Sequence, residues 1–291
     1  MNKILNTSFV VIFIIALALC AQEEDKPNIL WITSEDNNVS WVGAYGNTHV
    51  QTPNIDNLAS EGFKYTEAYA NAPVCAPSRS TWITGLYAIS TGTQHMRSRN
   101  LIPHNKISYY PDLLKENGYY TANANKTDYN IGGRDDKDCW DNSTHLNWDN
   151  LKRKQPYFQI INLYESHESR AQGDLENIDY DFNNVKLKSY HPDLETIRKN
   201  YAKYHDALLR MDEKVGKILE ELEDNELHEN TIVIYTSDHG GVMPRSKRYL
   251  FKSGLHCPLI IRIPEKYKSL RPSQKLGSSI ERLVSFVDMP K

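Results

Sequence analysis

Residues 28–34, Asn-Ile-Leu-Trp-Ile-Thr-Ser, form an unbroken apolar-rich run after Pro27 and stop on Glu35 and Asp36. A run without polar alternation needs cover on both faces, which predicts a buried strand of a parallel sheet. Further strands are expected at FKYTEAYA (63–70), YYTANAN (119–125), YFQIINLY (157–164), TIVIYTS (231–237) and PLIIRI (258–263). Helical patterns alternate with them. In 52–62, Thr52 stands as N-cap, Pro53 takes the first helical position, Ile55, Leu58 and Ala59 share a face, and Gly62 is the stop. A second helix is expected at 109–118. A long one at 193–225 repeats Leu194, Ile197, Tyr201, Tyr204, Leu208, Met211, Val215, Ile218 and Leu222 every three or four residues, as an amphipathic helix on a sheet does. Strands alternating with helices imply an α/β fold, a mostly parallel central sheet with helices on both faces.

In such folds, sites gather beyond the carboxyl ends of strands. Here those ends carry Glu35 and Asp36, Lys126, Glu165 and His167, and Asp238 and His239. Glu35, Asp36 and Asp238 offer the carboxylate oxygens that a hard divalent cation prefers. One such acid alone is more often a helix cap or a solvated turn. Four strand ends with complementary groups argue for one shared site. Residues 130–156 and 168–192 are charged and loop-like, and read as surface insertions near that rim.

Cys75 opens a different question. With Pro77 in the first turn of a helix running to Thr84, Cys75 falls at the helix N-terminus and Arg79 follows one turn later. Exposed amides and a guanidinium make that position an anion site. A thiolate is a poor neighbour for a hard cation, whereas an oxygen nucleophile at position 75 would suit one.

The N-terminus bounds the compartment. Lys3 precedes an apolar run that closes on small residues and then an acidic, polar stretch, the pattern of a secretory signal over residues 1–21. Export to the periplasm or the medium is expected, with no transmembrane span in the mature chain. The stretch "LALC" also resembles a lipoprotein box and leaves an anchor through Cys20 open. Cys75, Cys139 and Cys257 are then an odd set for an oxidising compartment, so at least one is unpaired or altered. Cys139 and Cys257 read as buried small residues or as a disulfide. A net charge of −3 excludes the basic stripe that nucleic-acid binding requires.

The stretch CAPSRSTWITG (75–85) resembles the signature of type I sulfatases of the alkaline phosphatase superfamily, in which the cysteine is oxidised to formylglycine during export. PNILWITSED, the segment TPNIDNLASEGFKYTEAYANAPVCAPSRS, NKTDYN, YESH, IVIYTSDHGG and CPLIIRIP follow the order of that family, nearest to sulfamidase-like and bacterial glycan sulfatases. The resemblance implies one Ca²⁺ held by Glu35, Asp36, Asp238 and His239, with residue 75 as a further ligand. It implies that a hydroxyl of the hydrated aldehyde attacks sulfur, that Arg79 holds the hydrate, that Lys126 grips a sulfate oxygen and that His167 serves the substrate end. Lys247 or a neighbour adds positive charge. The implied partners are a sulfated saccharide and a formylglycine-generating or anaerobic sulfatase-maturating enzyme.

The chain departs from the family pattern in places. Glu35 stands for an aspartate, His239 for a common Asn, and Asp128 for a histidine, which moves the leaving-group proton donor toward His167. Lys252 lies near the family's second lysine, and His95 either lines the pocket or caps a helix. The end LVSFVDMPK resembles the point where relatives continue into a smaller C-terminal subdomain. The expected organisation is therefore a sulfatase-like catalytic domain over 22–291 without that subdomain. A phosphodiesterase or phosphonate monoester hydrolase of the same superfamily, and an inactive glycan-binding paralogue, are the alternatives.

Overall fold

The computed structural model describes residues 26–290, so the expected leader over 1–21 and Cys20 lie outside the described residues. Within them are β1 (Asn28–Ser34), β2 (Phe63–Tyr69), β3 (Asn100–Leu101), β4 (Tyr120–Ala124), β5 (Ile131–Gly132), β6 (Tyr157–Leu163), β7 (Thr231–Ser237), β8 (Leu259–Arg262) and β9 (Ser278–Ser285). Seven strands form one sheet in the order β4-β6-β1-β7-β8-β2-β9, and β3 pairs with β5 in a separate short parallel ladder. β4, β6, β1 and β7 are mutually parallel. β8 is antiparallel to both its neighbours, and β9 is parallel to β2. Two reversals cancel, so β2 points the same way as β1 and β7. The carboxyl ends of β4, β6, β1, β7 and β2 therefore open on one rim.

Alternate side chains of β1 enter opposite faces of the sheet. Leu30 and Ile32 join a core with Ile55 and Leu58 of the helix Pro53–Glu61 and with Tyr204, Leu208, Met211 and Val215 of the helix Glu195–Asp224. Trp31 enters the other core with Trp82, Tyr110 and Phe158, its ring centroid 5.1 Å from that of Trp82. Cys139 and Cys257 lie buried in this second core as free thiols, so the disulfide reading is set aside. Burial pushes the Cys139 thiol up to about 12 and that of Cys257 well above its ordinary value, which leaves both inert.

The expected elements are present, with local corrections. Pro53 does take the first helical position, but the Thr52 hydroxyl does not cap that helix. It accepts the Gly43 N–H at 2.8 Å and donates to Asp56 at 3.0 Å. The first helical amides go instead to Asp212 of the long helix, Asn54 N–H at 3.1 Å and Ile55 N–H at 2.9 Å. A carboxylate with two acceptor oxygens outcompetes a hydroxyl for a helix N-terminus. Leu194 is the N-cap of the long helix and stands exposed rather than joining its buried stripe. Sequence periodicity gave no sign of β9, an edge strand with no buried residue, or of the β3–β5 ladder, which is two residues long on each side.

Candidate active site

The turns after β1 and β7 are laced together. Asp238 N–H donates to the Ser34 carbonyl at 3.2 Å, Asp36 N–H to Asp238 Oδ1 at 3.2 Å, and Asn37 N–H to Ser237 Oγ at 2.9 Å. Asp36 adopts a left-handed backbone with φ 50°, a conformation that turns its carboxylate back over the rim at a cost the surrounding bonds must outweigh. Glu35, Asp36, Asp238 and His239 are completely buried.

From β2 the chain enters the helix Cys75–Thr84, with Cys75 at its first position and Gly85, in the left-handed region at φ 64°, closing it through a bond to the Thr81 carbonyl. Arg79 is buried one turn along. Its Nε is 3.2 Å from Asp238 Oδ2, and its Nη1 donates to Asn162 Oδ1 at 2.7 Å. The other strand ends supply the remaining charges. Lys126, after β4, lies 2.8 Å from Glu35 Oε2, and His167, after β6, places Nε2 at 3.7 Å from the same oxygen. Lys247 sits 2.7 Å from Asp36 Oδ2.

Glu35, Asp36, Cys75 and His167 each offer one donor atom, all within 4.8 Å of one another, and Cys75, Asp238 and His239 do the same. Cys75 belongs to both groups, and His239 Nε2, 2.8 Å from Asp36 Oδ1 and 3.7 Å from Asp238 Oδ1, joins the two sets as well. The electrostatics follow from burial and pairing. Burial, and after it Asp238, raise the Glu35 carboxyl, and together they outweigh the lowering by Arg79 and Lys126. Burial pushes Asp36 up as well, but His239 and Lys247 outweigh it and hold the group well below the carboxylate range. Burial opposes a charge on His239, yet Asp238 and Asp36 raise its pKa far above the ordinary value.

His239 tests whether a cation fits. Its Nδ1 lies 2.8 Å from the Gly240 carbonyl and donates there, which leaves Nε2 facing Asp36 Oδ1 at 2.8 Å. Nε2 and Glu35 Oε1 are buried atoms with no hydrogen-bond partner. At that distance Nε2 either carries a proton toward the carboxylate, as the raised pKa has it, or turns a lone pair to a cation that both groups share. Three carboxylates and an imidazole nitrogen are a donor set that fits a hard divalent ion. The sulfur at position 75 is the misfit in that set, and an oxygen there would complete it.

Other expected site residues fall differently. Asp128 adjoins the cluster, 3.8 Å from Lys126 Nζ. Lys252 is not brought to the carboxylates: its ammonium is 3.9 Å from Glu67 and over the Tyr69 ring. His95 neither caps a helix nor reaches the cluster; it sits in a bend with its side chain exposed, and its carbonyl accepts from Asn130. Three supporting residues escaped sequence reasoning. Asn162 holds Arg79 from inside β6. Glu168 gives its N–H to Asp36 Oδ2 at 2.7 Å and its carboxylate to Lys247 at 3.1 Å, and Tyr204 donates to the Asp36 carbonyl at 2.5 Å. The one available signal was a buried amide near the carboxyl end of a largely apolar strand, at Asn162, and Gln159 in the same strand shares it. Tyr204 was indistinguishable from its neighbours in the buried stripe.

Comparison with known proteins agrees with this geometry. A family model described as Sulfatase matches residues 27–290. An ulvan-active sulfatase of Formosa agariphila is 30% identical, over 91% of this chain and 51% of its own length. Human N-acetylgalactosamine-6-sulfatase is 26% identical, over 88% of this chain and 60% of its own. The chain thus spans between half and two-thirds of the length of these relatives. Among solved structures, the phosphonate monoester hydrolase of Agrobacterium radiobacter shares the fold with a TM-score of 0.72 at 17% identity, covering 91% of this chain and 72% of that one.

Proposed function

The chain belongs to the sulfatase family, and from that premise we propose that it hydrolyses sulfate esters or sulfamates carried by a saccharide, using an oxygen nucleophile made from Cys75. The observation that carries this reading is the shared focus: Cys75 Sγ lies within 4.8 Å of donor atoms from Glu35, Asp36 and His167 and from Asp238 and His239. The names of two relatives, an ulvan-active sulfatase and an N-acetylgalactosamine-6-sulfatase, support a sugar as the carrier. The apolar leader-like residues 1–21 support an exported protein, periplasmic or secreted, and the Cys-x-Pro-Ser-Arg stretch supports conversion of Cys75 to formylglycine by a maturation enzyme.

Glu35, Asp36, Asp238 and His239 would hold a divalent ion, for which Ca²⁺ suits the oxygen-rich donors, and the ion when bound supplies Lewis-acid charge to the nucleophile and the ester. The chain's own residues do the rest. Arg79 fixes Asp238 and stands one helical turn behind residue 75, so it orients the nucleophile. Lys126 and Lys247, each now paired with a site carboxylate, bring positive charge to the oxyanion that grows in the transition state. His167 is the proton donor to the leaving oxygen. Its hydrogen bond with Cys75 outweighs burial and raises its pKa, which favours the protonated, donating form.

The test is a paired assay of the matured chain on a sulfate ester and a phosphodiester, with mass analysis of the Cys75 peptide. Preferential cleavage of the sulfate ester, a peptide lighter than the cysteine form, and an activity loss of more than about 100-fold on chelation that Ca²⁺ restores are expected. Preferential phosphodiester cleavage would move the assignment to the phosphodiesterase and phosphonate hydrolase branch. An unmodified peptide from a competent host, without activity on either ester, would point to a binding paralogue.

A further inference from the structure

Beside the carboxylate cluster lies a pocket of 330 Å³ whose walls include Arg97, Arg99, Thr127, Asp128, Asn130 and Arg134. It shares Asp128 with the site: Asp128 Oδ2 is 3.8 Å from Lys126 Nζ, which is itself 2.8 Å from Glu35 Oε2. Resting on the reading above, we propose that this pocket binds an anionic substituent of the saccharide other than the group being cleaved, a carboxylate or a second sulfate, with Arg97 and Arg99 as the recognising pair.

The backbone around the pocket is built rather than slack. Asn125, Asp128 and Asn130 on one loop and Arg97 on the facing loop all have positive φ, at 84°, 55°, 65° and 61°. Each such non-glycine residue costs roughly 1 kcal/mol, and side chains held this way cluster where orientation matters. The two loops are tied together. Asn130 Nδ2 donates to the Thr93 carbonyl at 2.7 Å and to the His95 carbonyl at 2.6 Å, and just beyond them β3 pairs with β5. A pocket fixed in advance pays less ordering entropy when a ligand enters.

Its lining carries both signs, Arg97, Arg99, Arg134 and Lys137 with Asp128, Asp135 and Asp136, and these differ in how they are held. Arg134 is bidentate to Asp112, Asp136 accepts the Tyr129 N–H, and Asp135 accepts the Lys137 N–H. Arg97 is 77% exposed and meets only Asp128, at 3.0 Å, while Arg99 has no side-chain hydrogen bond or ion pair among the described residues. An exposed pair of that kind is worth at most about 1 kcal/mol, so Arg97 can exchange Asp128 for a ligand anion at little cost. A carboxylate or sulfate matches the planar fork of a guanidinium, and Asp128, once released, accepts a sugar hydroxyl. Such an occupant would sit next to Lys126, one residue group away from the reacting ester.

The experiment compares kcat/KM of the matured chain on sulfated saccharides that carry an additional uronate, an additional sulfate, or no additional anion. Arg97→Ala, Arg99→Ala and the double variant should lower the ratio of charged to uncharged substrate by about 10- to 100-fold, mainly through KM. Loss confined to the uronate series assigns a carboxylate, and loss confined to the doubly sulfated series assigns a sulfate. A ratio within about twofold of the unsubstituted chain in both series overturns the proposal. If the chain cleaves no sulfate ester, the reading of its activity fails, and the pocket is then decided by binding alone. Calorimetry of the Cys75→Ala chain with and without Arg97→Ala, titrated with the same three saccharides, must show the anion-dependent loss for the proposal to stand.

Discussion

Arg79 is the residue on which the site's charges converge. It is 1% exposed, bonds Asp238 and Asn162, lies over the Trp82 ring, and leaves Nη2 without a hydrogen bond 3.8 Å from Glu35. Removing one partner from buried ion pairs leaves the others uncompensated, so Arg79→Ala is expected to cost about 3–5 kcal/mol in denaturant unfolding. Arg79→Lys should fall between, because a point charge cannot serve Asp238 and Asn162 together. A loss below about 1 kcal/mol for the alanine variant would mean that the carboxylates around it are not charged. The spacing of Cys75, Pro77 and Arg79 made this residue legible in the sequence. Glu168 was not, because a glutamate in a charged loop looks like solvated surface until its amide is seen on Asp36.

At the scale of elements, the turn after β7 rests on the short helix Lys252–Leu255. Gly240 N–H donates to the Gly254 carbonyl at 2.8 Å, and a Cβ on Gly240 would meet the Ser253 carbonyl oxygen at 2.1 Å. Backbone on both sides cannot swing away, so Gly240→Ala should destabilise by at least about 2 kcal/mol in thermal or denaturant unfolding and shift Asp238 and His239 with it. Asp212 holds a second junction. Asp212→Ala removes the acceptor for the first amides of the helix Pro53–Glu61 and should cost about 1–2 kcal/mol, with Asp212→Asn losing less. Of the main-sheet strands that carry the site, β1, β6 and β7 were readable because each is largely apolar on both faces, whereas β2 and β4 mix in polar side chains such as Lys64, Glu67 and Asn123. The cap was not: Thr52 has the right type and place, and only the arrival of a helix some 150 residues later diverts its role.

Across the whole molecule, stability should depend on acidity through His205. Its ring lies between Trp41 and Tyr180, at centroid distances of 5.5 Å and 4.4 Å, and it is 2% exposed. Burial, with a smaller push from His49, lowers its pKa to about 4. The unfolded chain binds that proton more readily than the folded one, so the contribution is complete above the ordinary histidine value and fades as pH falls toward 4. About 2 kcal/mol should be lost between pH 7.5 and 5, and a His205→Gln chain should lose correspondingly less over the same interval. Equal slopes for both chains would remove His205 from the account. The sheet order was beyond sequence reasoning for a different reason: periodicity reports which segments are strands, but not that β8 reverses and β2 thereby returns its end to the shared rim. That return also sets a deadline. Residues 75–83 are all buried, and Arg248 N–H closes on the Pro73 carbonyl at 2.8 Å, so the finished fold shuts another protein out from Cys75. Any enzyme that remakes this side chain must win a race against the arrival of the last parallel strands, and a molecule that folds first keeps its thiol for life. Folded, cysteine-bearing protein offered to a maturation enzyme should stay unconverted by peptide mass, whereas the same protein held open in denaturant or presented as a peptide should convert.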